Sequence, residues 1–438
     1  MKENIKILME TLQELGYASY YCGEKCRYEY YSSIDSSFAM KGYGFALNVN
    51  ASVQELSRLF PAIKHSATKP WRMMINFGGD QIILETMHNE VYEPCNGNYK
   101  ANIIEVDNVQ TDFQRQIFTF NCVAQDVNGK YIATKQATDD FKKHQIRFLD
   151  CNIKFVEENP IRILKAFTLM SKTGYKFESK TSKCIKSGLK FLKNADISLI
   201  GKEIRRIISN PFAIKTLQLM LSMKVFEQQC ANGIILDTFA QYTSERFNAI
   251  ENFSTYTTEY EAWSLLFDDS DIAMKELEKF NRFSDDELYT IKWLINNKDI
   301  CNQSSDIDFR HAIYDSLTEF EKQRGIHYLK TLILHASHIY NIQNKNSEKS
   351  LKQTERLFYN MCARPYFVEQ LSIDTSDANK EILLTHLLDV KIYPYTEELM
   401  IDYYNDLVEK GIFVNATKLD KKNKRDDDDE AFDSRQYQ

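Results

Sequence analysis

Arg162 and Lys165 stand three residues apart in the stretch EENPIRILKAF, a spacing that puts them on adjacent turns of one helix face, where both could meet an anion. Further along, the run from KTSKCIKSGLKFLKN to GKEIRR concentrates lysine and arginine as a phosphate-following surface would, although the same charges also serve to solvate helix faces. Other reactive side chains are arranged less productively. His335 and His338, in LILHASHIYN, are spaced for two ring nitrogens to share a metal. No acid or cysteine in that stretch supplies a third ligand, so they read as surface or core histidines. Nine cysteines are scattered without a CxxC pair, and Cys22 and Cys26 lack a second Cys or His pair to complete a zinc site. Reduced structural thiols are expected. Glu85, a lone acid beside Thr86 on a predicted strand, reads as an exposed strand residue.

The elements that must position these groups fall into two kinds. At 438 residues the chain exceeds the size of a single core, which predicts two or three domains. The first 150 residues mix β-type runs (Met73 to Phe77, Gln81 to Met87, Phe118 to Ala124) with turn signals at Gly78-Gly79, Asn96-Gly97 and Asn128-Gly129, an α+β pattern. From Phe155 onward the periodicity is helical, as in Ile161, Leu164, Ala166, Phe167 and Met170, and again in Ile204, Ile207, Ile208, Ala213, Leu217 and Leu221. From Lys418 the tail KLDKKNKRDDDDEAFDSRQYQ has too little apolar content to offset its ordering entropy and is predicted to be disordered. A net charge of -7 argues against a general nucleic-acid binder but leaves room for local basic patches. No apolar run approaches the roughly eighteen residues of a membrane span. The N-terminal MKENIKILMETLQELGY has the pattern of neither a signal nor a transit peptide, so a cytoplasmic or organellar-matrix protein, the mitochondrial matrix included, is expected.

Several stretches, taken in order, carry a family likeness. YYCGEKCR (Tyr20 to Arg27) and KGYGFALNVNASVQELSRLF are similar to a glycine-rich GG…RD turn, a strand carrying DxD and a helix that starts NATPEE. FQRQIFTFNCVAQD (Phe113 to Asp126) resembles RRDFTINA, EENPIRILKAFTLMSKTGYKF resembles an EDxxR helix, and SNPFAIKTLQLMLSMKVFE resembles the helices that follow it. EAWSLLFDD, RFSDDELYTIKWLINN and the stretch from FVEQLSIDTSDA to LVEKGI are similar to an all-α body. In this order the motifs resemble the class II tRNA nucleotidyltransferases (CCA-adding enzymes) and bacterial poly(A) polymerases. The likeness implies an α+β fold: a nucleotidyltransferase-type α/β head (1-150), a helical neck that meets RNA or nucleotide (151-228), and an all-α body (229-417) ahead of the charged tail (418-438).

The same likeness shows what this chain lacks. The family's two-metal chemistry needs acids at alternate strand positions, which put both carboxylates on one face. Those positions are Gly44 and Ala46 here, the third acidic position is Ile83, and the arginine that ends that segment is His88. A rival alignment through Ser33-Ile34-Asp35 keeps one acid but puts too many residues before the helix at Val53 to Phe60. In the glycine-rich turn Gly23 and Arg27 remain, but Glu24 replaces the second glycine and brings a negative charge to a phosphate position, and Tyr28 replaces the aspartate. RRD becomes Arg115-Gln116-Ile117, while Phe118, Thr119 and Asn121 are kept, as strand packing explains. In the EDxxR helix Asn159 replaces Asp. It either alters base choice by adding a donor or simply caps a helix before Pro160.

The expectation is therefore a pseudoenzyme without catalytic residues, metal or cofactor, kept for binding or processing tRNA or another structured RNA. Its candidate contacts are Arg27, Arg115, Asn121, Asn159, Arg162 and Lys165. Two alternatives stand beside it. One is a structural scaffold subunit that meets other protein subunits, as the 13% aromatic content suits. The other is a divergent active enzyme that adds CCA or A to RNA 3′ ends with Mg²⁺ held by Asp35, Glu85 or Glu158.

Overall fold

The computed structural model describes residues 2–38, 44–67, 69–95, 98–230, 233–242, 247, 259–297, 377–389, 397–413 and 417–418. His335, His338, the Asn96-Gly97 turn and the tail from residue 419 lie outside them. The chain divides into two compact units, one of Met1–Thr255 with Ile272–Ser284 and the other of Tyr256–Asp271 with Asp285–Gln438. The first is the one that concerns function.

It opens with α1 (Glu3–Glu14), which buries Ile5, Leu8, Met9 and Leu12 at helical spacing. Then come β1 (Ser19–Cys22), α2 (Gly23–Ile34), β2 (Phe45–Val49) and α3 (Val53–Leu59). A capping box starts α3: Ser52 Oγ accepts from the Glu55 amide, and the Glu55 carboxylate accepts from the Ser52 amide. β3 (Lys64–His65), β4 (Arg72–Phe77) and β5 (Asp80–Thr86) follow, with Gly78 and Gly79 forming the β4–β5 turn at positive φ. The ribbon of β6 (His88–Cys95) and β7 (Asn98–Glu105) leads through the short α4 (Val109–Asp112) to β8 (Val123–Gln125), β9 (Tyr131–Ala133) and α5 (Lys135–Lys142).

Seven strands form one sheet in the order β3-β4-β5-β2-β1-β8-β9. β2 and β5 are parallel at its centre and the other pairs are antiparallel. Parallel neighbours need a crossover, and α3, β3 and β4 supply it between β2 and β5.

Beyond the sheet the chain is helical, with only short strand pairs among the described residues: β10 (Gln145–Ile146), α6 (Ile153–Glu158), α7 (Ile161–Thr173), β11 (Lys176–Phe177), α8 (Ser179–Gly188), α9 (Ile197–Ile208) and α10 (Ala213–Ser222). α7 buries Ile161, Leu164, Ala166, Phe167 and Met170, and α9 buries Ile204, Ile207 and Ile208, the periodic residues of the sequence. The architecture is α+β. Among the described residues, no helix is long and apolar enough to cross a membrane.

Two expectations are corrected. Phe118 to Ala124 is not one strand, because Thr119–Asn121 is a 3-10 turn and β8 begins only at Val123. Side chains hold that turn: Thr119 Oγ1 donates to Asp140 at 2.8 Å, and Tyr31 stacks at 4.4 Å on both Phe120 and Phe141 while donating to the Phe120 carbonyl. Ser33 and Ile34 form the last turn of α2 and Asp35 follows as its C-cap, so the alignment that made Asp35 a strand acid fails. The Asp35 carboxylate instead accepts from the Ser37 amide and hydroxyl.

Candidate active-site face

The register of the central strands brings two of the three expected metal-acid positions together. Ala46 on β2 pairs with Ile83 on β5, and Gly44 lies two residues before Ala46. Parallel partners point to the same side of a sheet, so Ala46 and Ile83 share one face, whereas Gly44 lies just before β2 at a φ of +75°, outside that alternation. None carries an oxygen ligand. Cys22, the last residue of β1, pairs with Ala46 from the other side, and the chain then turns sharply at Gly23, where φ is +84°. A Cβ on Gly23 would lie 3.0 Å from the Ala46 Cβ. Only glycine therefore suits both the backbone and the space at this turn, which packs directly against the face.

Two pairs further along the strands, Asn48 lies opposite Glu85, and a buried polar network begins. Asn48 Nδ2 donates to Asp112 Oδ2 at 2.7 Å, and the His88 amide donates to Asp112 Oδ1 at 3.1 Å. Arg115 donates through Nε to Asp112 Oδ1 at 2.8 Å and through Nη2 to Glu85 Oε2 at 3.2 Å. Arg72 adds a second, more exposed cation 3.4 Å from Glu85 Oε1. Burial opposes the charge on Arg115, but the two carboxylates outweigh it and hold the guanidinium above its ordinary value. His88 is fully buried and donates Nδ1–H to the Thr86 carbonyl, and burial with the nearby Arg115 lowers its pKa.

Glu85 is therefore not the exposed strand residue the sequence suggested. Its side chain is 16% exposed and held by two arginines. Among the described residues no three His, Cys, Asp or Glu side chains converge as a metal-ligand set. The donors present do not fit a pair of divalent cations, since both nearby carboxylates are engaged by Arg115.

The turn is also paired differently from the expectation. Glu24 does not stand as an uncompensated negative charge, because the Lys172 ammonium of α7 pairs with its Oε1 and Tyr28 donates to the same oxygen. Burial pushes the Glu24 carboxyl up, yet those two partners outweigh it and the pKa is lowered. Arg27 is half-buried on α2, and its Nε has no hydrogen-bond partner among the described residues.

In the helical segment Arg162 lies between two aromatic rings, 4.8 Å from the Tyr92 centroid and 4.0 Å from that of Phe155. It donates to the Phe155 carbonyl at 2.6 Å, and Glu90 and Glu158 lie 3.9 and 4.0 Å away. Asn159 does not cap α7. Its Nδ2 donates at 3.3 Å to Tyr92, whose hydroxyl donates to Glu90 and is pushed up to about 12, mainly by burial. Lys165 is half-buried on α7, and Asn121 ends the 3-10 turn.

The candidate residues thus fall into separate local clusters. Arg115 joins Glu85 and Asp112, whereas Asn159 and Arg162 join Tyr92 and Glu90. Sequence reasoning missed Asp112, Tyr92 and Lys172. Asp112 alone left a signal, its i,i+3 spacing to Arg115.

No family model matches the chain. It is 22% identical over 223 residues to a CCA-adding enzyme of Lactobacillus helveticus, covering 50% of this chain and 53% of the relative. It is 23% identical over 260 residues to one of Bacillus cytotoxicus, covering 59% and 61%. The chain thus spans between half and two thirds of these curated relatives. Among solved structures, the Bacillus stearothermophilus CCA-adding enzyme in complex with CTP superposes with a TM-score of 0.64 at 13% identity over 94% of both chains. The Thermotoga maritima CCA-adding enzyme complexed with tRNA superposes with a TM-score of 0.52 at 16% identity, covering 93% and 96%.

Two outcomes follow from the ion pairs. Arg115→Met leaves Asp112 and Glu85 without their shared cation and is expected to cost about 3–5 kcal/mol in urea unfolding, whereas Arg72→Met, at a more exposed pair, costs about 1 kcal/mol or less. Glu24→Gln is expected to cost about 1 kcal/mol at pH 7. Because the folded pKa of Glu24 is lowered from 4.5, the wild-type advantage is present above that value and is lost as pH falls through the folded pKa. Paired unfolding curves from pH 7 to pH 3 check this through a difference that shrinks below pH 4.5.

Proposed function

Because the chain belongs to the tRNA nucleotidyltransferase family, we propose that it is a nucleotidyltransferase-like protein that grips RNA and no longer transfers nucleotides. The observation that carries the proposal is the pairing of Ala46 with Ile83 on one sheet face, with Gly44 just before β2 and no side-chain carboxylate at any of the three. Catalysis by two metals needs that face to hold one cation at the attacking hydroxyl and another at the leaving pyrophosphate. The nearest acids, Glu85 and Asp112, are committed to Arg115, and releasing them would expose buried charge.

Support for RNA binding is of a different kind. Solved neighbours of the same fold carry tRNA, and here Arg27, Arg162 and Lys165 stand on a head and helical segment that share one compact unit. Arg162 is largely satisfied within the protein, which makes it the weaker contact for an incoming phosphate backbone.

Incubation with labelled CTP or ATP, Mg²⁺ or Mn²⁺ and a tRNA lacking its CCA end is expected to give no incorporation. The same tRNA should bind with an affinity that falls as salt rises. Incorporation that disappears in Glu85→Gln would contradict the loss of catalysis, and the absence of salt-sensitive binding would contradict the RNA reading.

A further inference from the structure

One helical surface carries lysines and no acid. α8 runs on into a 3-10 segment, Leu189–Asn194, and the two bury Thr181, Cys184, Ile185, Leu189 and Leu192 on one side. On the other side Lys180, Lys183, Lys186, Lys190 and Lys193 are exposed, each three or four residues from the next. That spacing sets neighbouring Cβ atoms about 5–6 Å apart and makes one row about 20 Å long. No acid occurs in the sequence between Glu178 and Asp196. Those two flanking acids are turned to the backbone. Glu178 caps α8 by accepting from the Lys180 and Thr181 amides, and Asp196 caps α9 by accepting from the Ser198 amide. Lys6 is answered by Glu10, Lys224 by Glu227 and Lys410 by Asp406, whereas none of the five lysines in the row lies within ion-pair distance of a carboxylate among the described residues.

We propose that this row is an interaction surface for the sugar–phosphate backbone of a double-stranded RNA stem, a proposal that rests on the RNA-binding reading above and gives it a surface. The five ammonium groups are solvated and the fold does not need them, so they act only on binding. Each phosphate they neutralise releases a condensed counter-ion, and the gain grows with the number of cations set along one line. On a chain of net charge -7 a lone lysine attracts a polyanion weakly, but an acid-free row makes a local positive field. The composition of the row decides among polyanions. Its apolar side is packed in the core and no large hydrophobic residue from Ser179 to Asn194 is exposed, so it lacks what an interfacial helix inserts into a bilayer. Single-stranded RNA is held by bases stacked on aromatic rings, and the one ring in this stretch is Phe191, half-buried, with the Lys190 ammonium 5.1 Å from its centroid. A stem offers phosphates without any base being read, so the row binds it irrespective of sequence.

Two triple variants of the full chain remove the same charge. One is Lys183→Gln/Lys186→Gln/Lys190→Gln in the row, and the other is Lys135→Gln/Lys142→Gln/Lys215→Gln at exposed positions of α5 and α10. Binding of tRNA and of an RNA hairpin of unrelated sequence is measured across a chloride series, with urea unfolding to show that all the proteins fold alike. The wild type and the α5/α10 variant are expected to bind both RNAs with one salt dependence. In the row variant the log–log slope should be smaller by about 2–3 for both RNAs, and Lys186→Gln alone should lower it by about 1. A slope unchanged in the row variant, or lowered equally in both triple variants, would overturn the surface and leave RNA binding standing. Absence of salt-sensitive RNA binding in the wild type would overturn the RNA reading and this partner with it. Vesicles of phosphatidylserine and phosphatidylcholine complete the test: binding to them, lost only in the row variant and unmatched by RNA, would make the partner a lipid surface and contradict the proposal.

Discussion

The Arg115 guanidinium spans two carboxylates, Asp112 three residues before it and Glu85 on a central strand, and the arrangement of the whole sheet face depends on that bridge. Asp112 is fully buried and also accepts from the Asn48 side chain and the His88 amide. One carboxylate therefore ties β2, the start of β6 and α4 together. A buried acid with this many donors is stable only while its cation stays in place. The arrangement favours a rigid face over an adaptable one, and it engages both Glu85 and Asp112 in holding the fold.

The helical segment is bound to the head by the same kind of interaction. Lys172 of α7 reaches Glu24 beside the glycine turn, and Arg162 lies between Tyr92 of the β6–β7 ribbon and Phe155. The Lys172 ammonium neutralises the carboxylate beside that turn. The turn presents a carboxylate with its own counter-ion.

Much of the fold was legible because it follows local periodicity. Apolar residues at helical spacing marked α7, α9 and α10. The NASVQE stretch marked the start of α3, where the capping box formed, and the paired glycines marked the β4–β5 turn. The strand register pairs Ala46 with Ile83, while Gly44 lies before β2 at positive φ. Interactions between residues distant in sequence were not legible. The burial of Glu85 depends on Arg115, thirty positions away, and Lys172 lies 148 positions from Glu24. The turn at Thr119–Asn121 reads as a strand until Asp140 and the ring of Tyr31 claim it. Periodicity reports which face is buried, not which distant side chain meets it there.

The most direct measurement is a Mn²⁺ titration followed by paramagnetic broadening of backbone amide resonances in β2 and β5. A face without free carboxylates predicts no selective broadening at Phe45 to Val49 or Ile82 to Glu85 beyond that of exposed acids elsewhere. Saturable broadening centred on Ala46 and Ile83 would show that the face still holds a metal and would contradict the account.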